Sequence, residues 1–176
     1  MGLLKPNRLA AKNERPRPDI PRTRVDFAFE IIAVVGLLTG LFNLIFDFSK
    51  LPESIPTHFN FKGDADNWGG KDSLWILAGL LVVIYVSLSL VPRIPHLYNY
   101  PFEITNENAE RQYRLARQFI TLLKAEIVWL FTAIIGSTIQ VALGESTRLQ
   151  PTLLFLFLAL IAASTIGYFI LAYRAK

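Results

Sequence analysis

The sequence holds no cysteine and two histidines, His58 and His96. Thiolate nucleophiles, disulfides and Cys-ligated metals are thereby excluded, and a site built on several imidazoles nearly so. The residues able to do chemistry gather in one stretch, 49–73, which reads SKLPESIPTHFNFKGDADNWGGKDS. Thr57-His58-Phe59-Asn60-Phe61 alternates with period two. In an extended chain His58 and Asn60 then share one face, and Phe59 and Phe61 the other. Lys62-Gly63-Asp64 and Asn67-Trp68-Gly69-Gly70 are turn signals. The polar face thus collects the candidate ligand-binding residues His58, Asn60, Asp64, Asp66 and Lys71, with Trp68 beside them and Asp72 close by.

Four chemistries can be weighed against that set. Histidine titrates near neutral pH, so His58 beside carboxylates could act as a general base. Asp64-x-Asp66 resembles the start of a calcium loop, with Gly69 at position six. Position five is Trp68 and position twelve is Trp75, so the closing Glu is missing and an EF-hand is rejected, leaving a looser cation site. Zinc could take His58 with Asp64 and Asp66, though one His and no Cys make a poor ligand set. A nucleophilic triad lacks its serine motif. Set against these is a structural role, in which the polar groups bond loop backbone and hold the segment in shape. That role predicts a loss of about 1–3 kcal/mol when His58 or Asp66 is truncated. Phe59, Phe61 and Trp68 are expected to anchor the segment as an ordered cap, each burying surface worth about 1.5–3 kcal/mol.

Around this stretch the chain is apolar. Hydrophobic residues make up 52%, charged ones 18% and aromatics 12%, with mean hydropathy +0.37. A span needs about 20 mostly apolar residues, and four stretches qualify: 27–48, 74–91, 119–143 and 152–173. The expected fold is an all-α integral membrane protein of four transmembrane helices, with a structured extracytoplasmic loop between helices one and two. Residues 26–176 form the membrane domain. Residues 1–25, basic and rich in proline, form a mobile cytoplasmic tail lying on anionic headgroups. Fourteen of the 18 Lys and Arg fall on the side of the two termini; Lys50, Lys62, Lys71 and Arg148 fall on the other. The positive-inside rule then makes both termini cytoplasmic. The lipid bilayer is the first expected partner and nucleic acid is not one, since no basic soluble face carries stacking aromatics. No feature calls for a cofactor.

Charges inside spans are functional candidates by default. Asp26 and Glu30 lie near the start of the first span, and Lys124 and Glu126 near the start of the third. Glu30 and Glu126 could share a polar pocket with Lys124 or Arg117. The mid-depth groups that a proton path needs are lacking. A helix starting near Asn106, capped by Thr105 or Asn106, should run on into the third span. Arg111, Arg114 and Arg117 on it are spaced to meet lipid headgroups. Gly36-x-x-x-Gly40 and the Ala159, Ala163, Gly167 repeat mark close-packing faces, for contacts within the chain or for a homo-oligomer.

Leu51-Pro52-x-x-Ile55-Pro56-Thr57-His58-Phe59-Asn60, then Gly63-x-x-Asp66-x-Trp68-Gly69-x-Lys71, resembles the signature of the N-terminal module of SdpI-like membrane proteins. The resemblance covers residues 37–91, and the run 108–119 is similar to the segment after the module in relatives. That module is an uncharacterised domain of small bacterial membrane proteins, and larger members of the family continue well beyond four spans. The resemblance implies a multi-pass protein of the inner or plasma membrane and a role of the immunity or signalling kind, against a secreted toxic peptide. Two classes of function are open. In the first, the protein is not an enzyme, and its outer loop binds a peptide, a cation or a partner membrane protein, as an accessory subunit or immunity factor. In the second, it is a membrane-embedded enzyme, a metal-assisted hydrolase using His58 with Asp64 and Asp66.

Overall fold

The computed structural model describes residues 15–176. Four long helices carry the apolar stretches: α1 (Arg24–Asp47), α2 (Ser73–Leu90), α3 (Ala109–Ala142) and α4 (Pro151–Arg174). Each is long and apolar enough to cross a bilayer. Two strands, β1 (Ser54–Phe59) and β2 (Ala65–Gly70), form an antiparallel hairpin between α1 and α2. The all-helical expectation is corrected there. The period-two run is a paired strand because its partner comes straight after a tight turn.

Local chemistry sets the helix ends. Thr23 caps α1 in a reciprocal box: its hydroxyl accepts from the Asp26 amide, and the Asp26 carboxylate accepts from the Thr23 amide at 2.6 Å. Helix α2 gives way to two 3-10 turns, Val91–Arg93 and Pro95–Leu97, because Pro92 and Pro95 lack the N–H that a continuing helix needs. Helix α3 begins three residues later than the sequence suggests. Its cap is Asn108, whose side chain turns back to accept from the Thr105 amide and donate to the Glu103 carbonyl. At the other end Gly144, with φ +75°, closes α3: its amide reaches the Val141 carbonyl and the Glu145 amide reaches that of Gln140. With 34 residues α3 extends about 51 Å at 1.5 Å per residue, well beyond a hydrocarbon core.

Helix α3 is the hub. Helices α1, α2 and α4 and strand β1 all pack on it. Its inward face mixes Thr121, Lys124, Val128, Thr132, Ile135 and Thr138, all buried. Polar groups turned inward and apolar ones outward suit a lipid surround, where every polar atom must find its partner inside the protein. Gly36 and Gly40 let α1 approach closely. The Trp129 indole donates to the Ile32 carbonyl at 3.0 Å and the Thr132 hydroxyl to the Gly36 carbonyl at 2.8 Å. A β-carbon at Gly36 would sit 3.0 Å from the Trp129 ring. The Gly36–Gly40 face therefore serves packing within the chain. Ala159 and Ala163 stay exposed, and a β-carbon at Gly167 would meet nothing within 4 Å. The apolar core lies at the hairpin end, where Leu44, Leu51, Ile55, Leu74, Leu81 and Ile139 meet.

The N-terminal segment is docked where it is described. Arg15 donates to the Tyr98 carbonyl at 2.7 Å, Arg117 donates to the carbonyls of Ile20 and Pro21, and Ile20 packs by Ile104 and Tyr113. Within the stretch 1–25 expected as a mobile tail, the residues from Arg15 onward lie against the bundle as a strap. Residues 1–14 lie outside the described residues.

Candidate functional site

The hairpin turn is built by Asn60. Its side-chain oxygen accepts from the amides of Lys62 (2.8 Å) and Asp64 (3.1 Å), while its own amide donates to the Asp64 carbonyl. Gly63 completes the turn at φ +84°, a conformation that glycine adopts without strain. The Leu149 amide then donates to the Gly63 carbonyl at 2.9 Å. That bond clamps the hairpin tip to the connection between α3 and α4.

The anchoring residues differ from those expected. Phe61 sits at the tip and is 95% exposed, and Trp68 is 55% exposed. Ile55, Pro56 and Leu51 are buried in their place. Pairing decides this: the register slips on both sides of His58, so the simple alternation does not run through to Phe61.

The six candidate ligand residues separate into four places. His58 and Asp66 meet, Nδ1 to Oδ1, at 2.5 Å. Asn60 and Asp64 belong to the turn. Lys71 lies at the base of the hairpin, bonded to Glu53 at 2.9 Å and lying over the Phe48 ring. Trp68 faces Pro56 across the ladder. The His58–Asp66 pair is exposed on both sides, and such pairs contribute about 0–1 kcal/mol. It is a weak structural tie, and the larger loss expected of a structural role does not apply to it.

His58, Asn60 and Asp66 line an open groove of about 350 Å³. Its other wall is the start of α4, with Pro151, Leu154, Phe155 and Leu158, together with Leu149. A polar pair thus faces an apolar helix flank where the helix enters the apolar layer. No sequence signal joins the hairpin to α4; the proximity comes from the Gly63–Leu149 clamp. Asp64 is not part of the groove, and among the described residues no three His, Cys, Asp or Glu side chains group as metal ligands would.

The charges in the spans form a second constellation. Lys124 on α3, 1% exposed, bonds Glu30 of α1 at 2.6 Å and the Ser89 hydroxyl of α2 at 2.9 Å. Tyr85 donates to the other Glu30 oxygen at 2.8 Å, and Lys124 lies over its ring. Glu30–Lys124 is one of the pairings that charge and depth leave open; Tyr85 and Ser89 escape sequence reasoning, being ordinary residues of an apolar run. Glu126 goes elsewhere and accepts from Ser164 of α4. Arg117 pairs with Asp26 at 3.2 Å, and Arg114 pairs with Glu110. Of the three arginines expected at headgroups, only Arg111 is left exposed and outside an ion pair among the described residues.

The family described as "Domain of unknown function (DUF1648)" matches residues 31–82, which hold most of α1, the whole hairpin and the first half of α2. An uncharacterized protein of Archaeoglobus fulgidus is 25% identical over 171 residues, covering 90% of this chain and 91% of that protein. No solved structure matches. Four apolar helices and the matched domain make this chain a multi-pass membrane protein.

Proposed function

We propose that this is an SdpI-like, non-enzymatic membrane protein whose hairpin groove binds an amphipathic peptide on the extracytoplasmic face of the inner or plasma membrane, in an immunity or signalling role. The observation that carries the reading is the groove itself. The His58–Asp66 pair supplies a polar anchor, and Leu154, Phe155 and Leu158 supply an apolar rail beside it. An amphipathic helix or strand satisfies both walls at once. The hairpin signature lies wholly within the matched residues 31–82, which favours kinship with the SdpI-like module. The hydrolase reading keeps one support, the Asp66 carboxylate positioned to orient His58. Asp64, the third residue that reading needs, lies outside the groove.

The test uses the protein in nanodiscs and a fluorescent amphipathic Leu/Lys peptide as probe. Wild type should bind it, and Asp66→Asn and Leu158→Trp should each weaken binding at least tenfold, a change of about 1.4 kcal/mol. Melting temperature should stay put for Asp66→Asn, because the pair is exposed. Binding no stronger than to empty nanodiscs would sink the proposal.

The proposed orientation places both termini in the cytoplasm. Fourteen of 18 basic residues support it, as positive charge resists translocation. In intact cells, a membrane-impermeant thiol reagent should label Ser54→Cys and spare Arg17→Cys. The reverse pattern inverts the topology.

A further inference from the structure

At the end of the bundle remote from the hairpin, the docked strap and the turns after α2 enclose a second cavity, of about 430 Å³. Arg17 and Arg22 reach it from the strap, Arg93 from the end of α2, and Arg117 from α3. Arg117 is already neutralised by Asp26. Arg17, Arg22 and Arg93 enter no ion pair among the described residues, and no carboxylate there lines the cavity. Tyr113 forms part of the wall; it is 1% exposed, and its hydroxyl has no hydrogen-bond partner among the described residues. A buried hydroxyl without a partner is uncommon. His96, also in the wall, is held below its ordinary pKa by burial and by the charges of Arg17 and Arg15. It is therefore neutral near pH 7, and the field in the cavity comes from the guanidinium groups.

We propose that this cavity binds a phosphate group carried on a small organic moiety, three guanidinium groups gripping the phosphate while Pro18, Ile20, Pro92 and Pro95 pack on the remainder. The guanidinium fork matches phosphate oxygens two at a time, which an ammonium cannot do. The volume exceeds that of a bare phosphate and falls within the range of small-molecule sites, about 300–1,000 Å³. The prolines fix the backbone of both rims, so little ordering is needed on binding. Arg22 stands just before α1 and Arg93 ends the second span. The cavity therefore opens at the level where one bilayer leaflet presents its headgroups. The phosphate comes from an anionic lipid or from a soluble phosphate ester, and the experiment separates the two.

Native mass spectrometry of the detergent-solubilised protein would be run with phosphatidylglycerol, with phosphatidylcholine, and with glycerol 3-phosphate. Retention of phosphatidylglycerol over phosphatidylcholine assigns a lipid headgroup. Retention of glycerol 3-phosphate at comparable strength assigns a soluble ester, and both outcomes support the site. Arg17→Gln/Arg93→Gln should weaken the retained adduct about tenfold. Tyr113→Phe, which leaves the core filled, should weaken it about threefold. Arg174→Gln, an exposed arginine outside the cavity, should leave it unchanged. Equal loss in Arg174→Gln means attraction to surface charge alone and overturns the proposal. So does retention of none of the phosphate ligands, or wild-type retention by both cavity variants.

Discussion

Replacing Lys124 by Ala should lower stability by about 3–5 kcal/mol, the range for breaking one side of a buried ion pair. For a chain of this size that corresponds to a fall in melting temperature of roughly 6–20 °C in detergent. The physical reason is what remains. Glu30, whose side chain is 33% exposed, would keep its charge with only the Tyr85 hydroxyl to bond it, and the Ser89 hydroxyl would lose its contact. Ionisable groups inside the apolar layer are costly when unpaired. The pair also joins three helices, because Lys124 on α3 contacts Glu30 on α1 and Ser89 on α2. The double variant Glu30→Gln/Lys124→Met should recover a large part of the loss, since it removes both charges while keeping the bulk. Thermal unfolding tracked by circular dichroism gives all three values. A Lys124→Ala protein melting within about 2 °C of wild type, well short of the shift for a broken pair, shows that the pair holds nothing together.

Gly63→Ala should free the hairpin from the rest of the protein. At φ +84° an alanine is strained by about 1–3 kcal/mol. Its β-carbon would also lie 1.9 Å from the Leu149 carbonyl oxygen, a contact that forces the two segments apart. Separation breaks the hydrogen bond from the Leu149 amide to Gly63, worth about 1 kcal/mol. The groove has walls on both segments, so it widens or closes as they shift. Trypsin should then cut after Lys62 at least tenfold faster than in wild type, and the peptide probe should bind at least tenfold more weakly. Gly70→Ala is the control, because its β-carbon meets nothing within 4 Å and its φ is not positive. A Gly63→Ala hairpin as resistant to trypsin as the control shows that the clamp is not needed.

The two substitutions act on different ends of the bundle and fail differently. Loss of Lys124 acts on helix association and shows in the melting temperature. Loss of Gly63 acts on a surface contact and shows in proteolysis and in the groove, with the span core of Leu44, Leu81 and Ile135 untouched. Residues this far apart with no shared partner should combine additively.

The spans are legible in the residues alone, because about 20 apolar residues in a row leave a helix in lipid as the one way to pair every backbone group. So is the hairpin turn at Lys62-Gly63-Asp64, through the backbone freedom of Gly63; the part Asn60 plays in it is not, and Asn67–Gly70, a turn signal by composition, is drawn into strand β2 by pairing. That Glu30, Glu126, Lys124 and Arg117 need partners is legible too, but which acid meets which base is decided by packing: Lys124 takes Glu30, Arg117 takes Asp26, and Glu126 turns to Ser164. Which faces meet is a matter of packing. Helices α1, α2 and α4 are apolar nearly all round, so no stripe in them tells a packed face from a lipid-facing one. The stripe in α3, Thr121, Lys124, Thr132 and Thr138, is present in the sequence at helical spacing, and reading it as inward requires knowing that lipid lies outside. The groove wall of Leu154, Phe155 and Leu158, the inward turn of Arg117 and the docking of the strap from Arg15 all join residues some 80 to 100 positions apart. Local propensity carries no information at that separation; the packing of whole helices on α3 supplies it.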